Sequence, residues 1–305
     1  MAEWTAHVRM LAPGPTLAQA VAAVAEASGR HRVLVLDGSS RRDQVAAAIT
    51  ALRRPRPAIV MADSTWKPGI GIAESTASRL GIRAIDGPRS IFCVLSRFEV
   101  GSFPRTWGPL RGQVRFVPWP HTLTPEQLAE PTSEGGRVFA GGNSLRDYGT
   151  LIRAAGSLHA PVDIATNTLT DAQRKEVPAN VTVAPLAQSD YDAYMRAASV
   201  VVVPLAVRPD RSSGQTTYVN AMARGKALVV TDTPGVRDYI EDGRTGLIIP
   251  REDPDAMAAA VTRLLADDDL RHAIGARARE HTLATNGLTH YAGRLLALAD
   301  EFLSR

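Results

Sequence analysis

The chain has 305 residues, of which 45% are hydrophobic and 22% charged. That length fits two domains better than one or three, and the composition excludes long disorder and fibrous repeats. Basic residues number 35 against 31 acidic ones, a net charge of +4, with no basic run long enough for a nucleic-acid arm and no zinc-finger signature. A single cysteine, Cys93, excludes an intrachain disulfide framework and a cysteine-based metal cluster. Only Lys67, Lys175 and Lys226 among the basic residues are lysines. Arginine forks suit phosphate and carboxylate ligands, and a GC-rich genome gives the same bias. The longest apolar stretch, Val200 to Val207, contains Pro204 and falls far short of the roughly 20 residues that span a bilayer. The chain begins Met-Ala-Glu-Trp without a basic segment followed by an apolar one, so a soluble, cytoplasmic protein is expected.

Short apolar runs alternate with helical segments, the pattern of parallel sheets built from βαβ units. Strands are expected at Ala6–Leu11, Arg32–Leu36, Ala58–Met61, Arg83–Ile85, Ile91–Leu95 and Val114–Val117, with helices at Thr16–Ser28 and Asp43–Leu52. Pro118 to Gly136 carries four prolines and ends Ser133-Glu134-Gly135-Gly136, which reads as a domain linker. A second set of strands follows at Arg137–Ala140, Val162–Ala165, Val181–Val183, Val200–Val203, Leu228–Thr231 and Gly246–Ile249. Its helices are expected at Leu145–Leu158, Tyr191–Ala197, Thr216–Arg224, Pro254–Ala266 and Leu270–His281, and a last helix at Leu288–Ser304. The expected division is 1–125, a linker 126–136, 137–287, and a terminal helix 288–305. The fold class that follows is α/β, with two Rossmann-like, doubly wound domains facing across a cleft. Such sheets bind ligands beyond the carboxyl ends of their strands.

Two loops have the chemistry for an anion. Arg211-Ser212-Ser213-Gly214-Gln215-Thr216-Thr217 follows the strand Val200–Val203 and opens a helix. Gly214 lets backbone amides approach a ligand, the hydroxyls donate, and the helix N-terminus adds free N–H groups; a diphosphate is the natural guest. The plain alternative is that Ser213 or Thr216 merely caps the helix. Gly141-Gly142-Asn143-Ser144 leads from Arg137–Ala140 into the next helix, with Arg146 in its first turn. Adjacent glycines allow close approach and Arg146 suits phosphate; the alternative is a tight turn in which Arg146 pairs with Asp147. Cys93, in an apolar run, reads as a small core residue.

Taken in order, these residues resemble a known family. The run from Gly214 through Asn220, Arg224 and Lys226 to Asp232, with Pro234-Gly235-Val236-Arg237-Asp238-Tyr239-Ile240, Asp242-Gly243 and Thr245-Gly246-Leu247, resembles the donor signature of retaining, family-four glycosyltransferases of the GT-B fold. Phe139-Ala140-Gly141-Gly142 with Arg146-Asp147-Tyr148 resembles that family's phosphate-gripping loop. The resemblance runs from Arg137 to the C-terminus; the first half shares only the α/β rhythm and is shorter than usual.

It implies an enzyme that moves a sugar from a nucleotide-diphosphate sugar to an acceptor with retention of configuration, and a last helix that crosses back onto the first domain. Gly141, Gly142, Asn143, Arg146, Arg211, Ser212, Ser213, Gly214, Gln215, Thr216 and Asn220 would hold the donor, with Arg146 also serving catalysis by neutralising the departing diphosphate. Protein donors doing that electrostatic work need no bound metal, and with no DxD-type motif neither metal nor cofactor is expected. The partners are then the sugar nucleotide and a small-molecule, glycan or peptide-derived acceptor, with no nucleic acid and no membrane span. Acceptor contacts fall on Asp63, Thr65, Trp66 and Lys67 after Ala58–Met61, Asp63 also as a catalytic group, although Trp66 reads equally well as a core plug. His121 is either a catalytic contact or a linker histidine, and Gly14 either abuts the donor phosphates or forms a simple turn.

There is one departure. The family places two glutamates eight residues apart where this chain has Ser212 and Asn220. A different donor (for example one with a 2′-deoxyribose), a neighbour such as Asp210 taking over, or lost activity each account for it. The last would leave a silent sugar-nucleotide-binding homologue; a nucleotide-sugar epimerase on the same fold is a further alternative.

Overall fold

The computed structural model describes residues 16–38, 41–52, 54–67 and 71–304. The described residues form two compact units: the first takes those up to Val94, Val100–Val117 and those from Gly293 on, the second Leu95–Glu99 and Pro118–Ala292.

The first unit begins with α1 (Leu17–Arg30), opened by a capping box between Thr16 and Gln19. Then come β1 (Val33–Leu36), α2 (Arg41–Ala51), β2 (Ala58–Met61), α3 (Ile72–Ile85), β3 (Ser90–Val94), α4 (Arg97–Trp107), whose residues up to Glu99 belong to the second unit, and β4 (Gln113–Phe116). The strands are parallel in the order β1-β2-β3-β4, with Val33 opposite Ala58 and Ile59 opposite Ser90. Every residue of β2 and β3 is buried, as expected of central parallel strands covered on both faces. Ile59, Met61 and Phe92 pack with Ile82, Ile85, Phe103 and Trp107 into the core.

The expected strand Arg83–Ile85 is instead the last turn of α3. Ile82 and Ile85 lie three apart on its buried side, a spacing that puts them on one helical face. Three residues are too few to separate that pattern from a strand. The sequence reading also omitted α4, whose Gly101 and interior Pro104 are poor helix formers. The expected strand Ala6–Leu11 lies outside the described residues.

The second unit contains α5 (Pro125–Ala129), β5 (Val138–Gly141), α6 (Tyr148–Ala155), β6 (Val162–Ala165), α7 (Asp171–Lys175) and β7 (Val181–Ala184). It continues with α8 (Gln188–Ala197), β8 (Val200–Val203), α9 (Gln215–Ala223), β9 (Ala227–Thr231), a 3-10 turn (Val236–Asp238), β10 (Leu247–Ile249), α10 (Pro254–Ala266) and α11 (Asp268–Thr285). The last helix, α12 (Leu288–Leu303), starts here and ends in the first unit. Six parallel strands run in the order β10-β9-β8-β5-β6-β7. The chain therefore builds outward from β5 to β7, returns to the other side of β5, and builds outward again from β8 to β10. That reversal between β5 and β8 is the topological switch point, where a crevice opens above the strand ends.

The proline-rich stretch after Pro118 is fastened down rather than free. It contains α5, opened by a Thr124–Gln127 capping box with Pro125 in the first turn, too short to leave a periodic signal. Buried Arg224 donates to the Gln127 carbonyl and pairs with Asp192. Lys226 Nζ donates to the carbonyls of Ser133 at 3.0 Å and Ala198 at 2.8 Å. Burial lowers the Lys226 ammonium to about 8, Glu134 opposing the shift and Arg196, Arg224 and Arg271 adding to it. Arg271 in turn pairs with Glu134 at 2.5 Å. No helix among the described residues is long and apolar enough to cross a membrane.

Candidate functional site

Both anion-type loops lie at the switch point, one after β5 and one after β8. The first turns on adjacent glycines for steric reasons. A Cβ on Gly141 would meet the Tyr191 ring at 2.4 Å, and one on Gly142, whose φ is +112°, would meet Arg146 Nη2 at 2.6 Å. Leu145 is held in the left-handed region at φ +51°; such strain persists where surrounding bonds over-determine it. Those bonds run to the other loop, Ala206 N donating to Leu145 O at 3.0 Å and Asp147 N to Pro204 O at 2.9 Å.

Arg146 binds both loops. Its Nε donates to Gly141 O at 3.0 Å, Nη1 to Ser144 O at 2.7 Å, and Nη2 to Thr217 Oγ1 at 2.9 Å. It forms no local pair with Asp147, whose carboxylate instead caps α6 through Thr150 N at 3.1 Å. Arg211 Nη2 reaches Ser144 Oγ at 3.4 Å and Ser213 Oγ donates to Ser144 O at 3.0 Å. Burial pushes both the Arg146 and Arg211 guanidiniums below the ordinary arginine range. Two partly desolvated cations on one rim favour an anion that restores what water would supply.

Helix α9 starts from Gly214 with no side-chain cap, so the capping role offered for Ser213 and Thr216 does not occur. Its first N–H groups and positive dipole end therefore face the loop. Beside it opens a cavity of about 320 Å³ lined by Gly142, Asn143, Thr166, Gln188, Tyr191, Thr216 and Asn220, among others. Asn143 Oδ1 accepts from Thr166 Oγ1 at 2.8 Å, and Tyr191 OH lies 3.4 Å from Thr217 Oγ1. The volume is at the low end for small-molecule sites. Asn220 lines this cavity with its amide already engaged. Its Oδ1 accepts from Thr122 N and its Nδ2 donates to Thr122 Oγ1, both at 2.9 Å.

A wider depression of about 880 Å³ is lined by Arg97, Phe98, Asp232–Gly235, Arg237, Asp238 and Ile248–Arg251. Four of its charges pair with one another, Arg97 with Asp238 at 3.3 Å and Arg237 with Asp232 at 2.8 Å, and exposed Arg251 is the fifth. The smaller cavity, with the glycine turns and the uncapped helix on its rim, is the chemically equipped one.

Sequence comparison now adds to the geometry. The profile of the family "Glycosyl transferases group 1" matches residues 151–267. A phosphatidyl-myo-inositol mannosyltransferase of Mycolicibacterium smegmatis is 45% identical over 62 residues, 20% of this chain and 16% of that protein. A D-inositol 3-phosphate glycosyltransferase of Corynebacterium jeikeium is 34% identical over 99 residues, 32% of this chain and 23% of that one. The alignments thus span less than a quarter of either curated relative. Among solved structures, sucrose-phosphate synthase of Thermosynechococcus elongatus superposes with a TM-score of 0.68 at 18% identity, covering 96% of this chain and 82% of its own. Anabaena HepE, solved with UDP and glucose, gives 0.67 at 13% identity, covering 94% and 83%. Residues 151–267 thus match a group 1 glycosyltransferase domain, and the chain as a whole has the GT-B fold.

Trp66 is a correction: it is no ligand platform. The residue is 7% exposed, and its ring packs edge-on against Phe92 with centroids 5.9 Å apart and donates Nε1–H to Gly38 O. An indole that can bury its apolar area and satisfy its one donor is more stable inside. Asp63 is also buried, accepting from Thr65 N at 3.0 Å. Burial raises its carboxyl above the usual range, the Thr65 hydrogen bonds opposing and Asp37 adding. Lys67 is exposed and Thr65 partly so. His121 does not line the cavity. Its backbone N–H donates to Asn286 O at 2.8 Å, and Nδ1 is buried without a hydrogen-bond partner. Burial lowers the imidazole's pKa, a Leu123 backbone bond opposing and Arg279 adding. Gly14 lies outside the described residues.

Asp210, the neighbour offered as a substitute carboxylate, pairs with Arg208 at 3.0 Å and is not among the residues lining the cavity. Residues the sequence reading passed over are Tyr191, Thr166 and Gln188, which enter from other strands and helices, and Thr122. Their only signal is position, Thr166 after β6, Gln188 and Tyr191 after β7 and Thr122 after β4, and no local motif marks it.

Proposed function

We propose that the protein is a glycosyltransferase that takes its sugar from a nucleotide-diphosphate sugar. The observation that carries this reading is the anion cradle at the β5/β8 reversal, where Arg146 and Arg211 meet the uncapped start of α9. The diphosphate sits there and the nucleoside extends into the cavity beside Thr166, Gln188 and Tyr191. As the sugar–phosphate bond breaks, charge grows on the leaving oxygen, and fixed cations and amides already aimed at it lower the barrier. Because the protein supplies these charges, no metal ion is required by this reading. The leaving phosphate takes the acceptor's proton on the face from which it departs, which retains the configuration. The first unit holds the acceptor, with Asp63, Thr65 and Lys67 as its polar contacts. We place the enzyme in the cytoplasm. The acceptor is a small molecule, glycan or peptide-derived compound; two relatives are named for inositol-containing compounds, which makes polyols the first to try.

The competing reading is a silent sugar-nucleotide binder. It is favoured by Asn220, neutral and bound to Thr122 where the resemblance has a carboxylate. One experiment series separates the two. In thermal shift with UDP, GDP, ADP, dTDP, CDP and their nucleosides, one diphosphate stabilises the chain by about 2.7 kcal/mol at a hundredfold excess over its Kd, and its nucleoside does so much less. The matching sugar nucleotide with an acceptor panel then releases nucleoside diphosphate. Diphosphate binding without release supports the silent binder, and no shift with any diphosphate at millimolar concentration overturns both.

A further inference from the structure

Beneath the β8–α9 loop lies a buried polar cluster that the mechanism above does not use. Glu99 is 4% exposed, and its Oε2 accepts from Ser96 Oγ and from Ser212 Oγ, both at 2.8 Å. Ser212 Oγ in turn accepts from Gln215 Nε2 at 2.5 Å, and Gln215 is the first residue of α9. The segment carrying Glu99 is fixed independently. Tyr239 OH donates to Leu95 O at 2.7 Å and Arg97 N to Asp238 Oδ2 at 2.8 Å. The turn after β9 closes over the cluster: Gly235 has φ +91°, and a Cβ there would lie 2.7 Å from Ser96 Cβ and 2.9 Å from Ser212 Cβ.

A carboxylate in such a place is costly unless hydrogen-bonded, and it sits two hydrogen bonds from the positive end of α9, where negative charge is favoured. It fixes the direction of the Ser212 hydroxyl, which donates to Glu99 while receiving from Gln215. The Gln215 bond ties Ser212 to the first residue of α9 across Ser213 and Gly214. We infer that Glu99 is a positioning residue of the diphosphate loop, supplying from the start of α4 the carboxylate that the sequence lacks at position 212. It acts through Ser212 and Gln215, which set the α9 amides against the diphosphate. This rests on the donor reading above.

The test is calorimetry on the full chain with UDP, GDP, ADP, dTDP, CDP and their nucleosides. Glu99→Ala lowers affinity for the preferred diphosphate about tenfold and leaves its nucleoside within about twofold. Glu99→Gln keeps an accepting oxygen without the charge and loses about threefold. The Glu99→Ser/Ser212→Glu double variant, which moves the carboxylate to the loop itself, recovers most of the wild-type diphosphate affinity. A merely structural role would weaken diphosphate and nucleoside alike and would not respond to the relocation. Unchanged diphosphate affinity, equal losses for both ligands, or a double variant no better than Glu99→Ala overturns the inference. If Glu99→Ala does not fold, Glu99→Gln and the double variant decide by the same ratio. Wild-type chain that binds no diphosphate overturns the donor reading and this inference together, whereas wild-type binding that is insensitive to Glu99 overturns only the latter.

Discussion

The loop after β2 and the pair of loops after β5 and β8 occupy equivalent places, the carboxyl ends of parallel strands, and both are rich in residues suited to polar ligands. They come out differently. After β2, Trp66 turns inward onto Phe92 and Phe103, and Asp63 is buried against Thr65. After β5 and β8, Arg146 spans two loops, glycines clear space for it, and α9 begins uncapped over a cavity. The four described strands of the first sheet follow one another in sequence order, whereas the second sheet reverses between β5 and β8. Where the order reverses, the helices that follow neighbouring strands leave on opposite faces, and a crevice forms between them. Residue chemistry at a strand end is therefore not enough; packing decides which side chains turn into the core, and strand order decides where a crevice opens.

Substitutions at the two places should separate cleanly. The largest expected effect is Trp66→Ala, which removes an indole packed among aromatic rings and costs about 3–5 kcal/mol of stability. Denaturant unfolding reads that loss, and diphosphate affinity measured below the melting point stays as in wild type. A large loss of diphosphate affinity in folded Trp66→Ala would break the comparison. Next comes Arg146→Ala, which removes a cation and its bridge to Thr217. Diphosphate affinity falls about a hundredfold, the value of one strong charge-assisted interaction, and nucleoside affinity changes little. Equal losses for diphosphate and nucleoside would remove Arg146 from the cradle.

The last concerns Lys226, which fastens the proline-rich stretch. Folded, it gives up its proton near pH 8 against 10.5 for the free side chain. Between those values the unfolded chain binds more protons, so stability rises with pH across that window, and below it both states are charged. Unfolding free energy of wild type minus that of Lys226→Met should therefore be flat up to about pH 8 and climb toward pH 10.5. A flat difference throughout would mean the ammonium is better solvated than its burial implies.

Much was legible in the sequence because parallel α/β folds write their core strands as apolar runs. Val200–Val203 and Val162–Ala165 are such runs, and the glycine turns beside them stand where an anion-binding helix start needs them. Less local features were not legible. The last turn of α3 looks like a strand because three residues carry no period, and α4 hides behind Gly101 and Pro104. The cavity wall could not be read because Tyr191 and Thr166 reach the glycine turns only through packing.

The sequence by itself determined the alternation of strands and helices, the two glycine-bearing loops and the residues lining them, since backbone conformation at a turn and burial of an apolar run are local matters. Tertiary structure decided three things that depend on which distant atoms meet. It sent Trp66 into the core, where its area and its one N–H were both satisfied. It turned the Asn220 amide onto Thr122. And it brought Glu99, 113 residues earlier in the chain, to the hydroxyl of Ser212, because strand order and helix packing, not sequence spacing, set which side chains share a buried place.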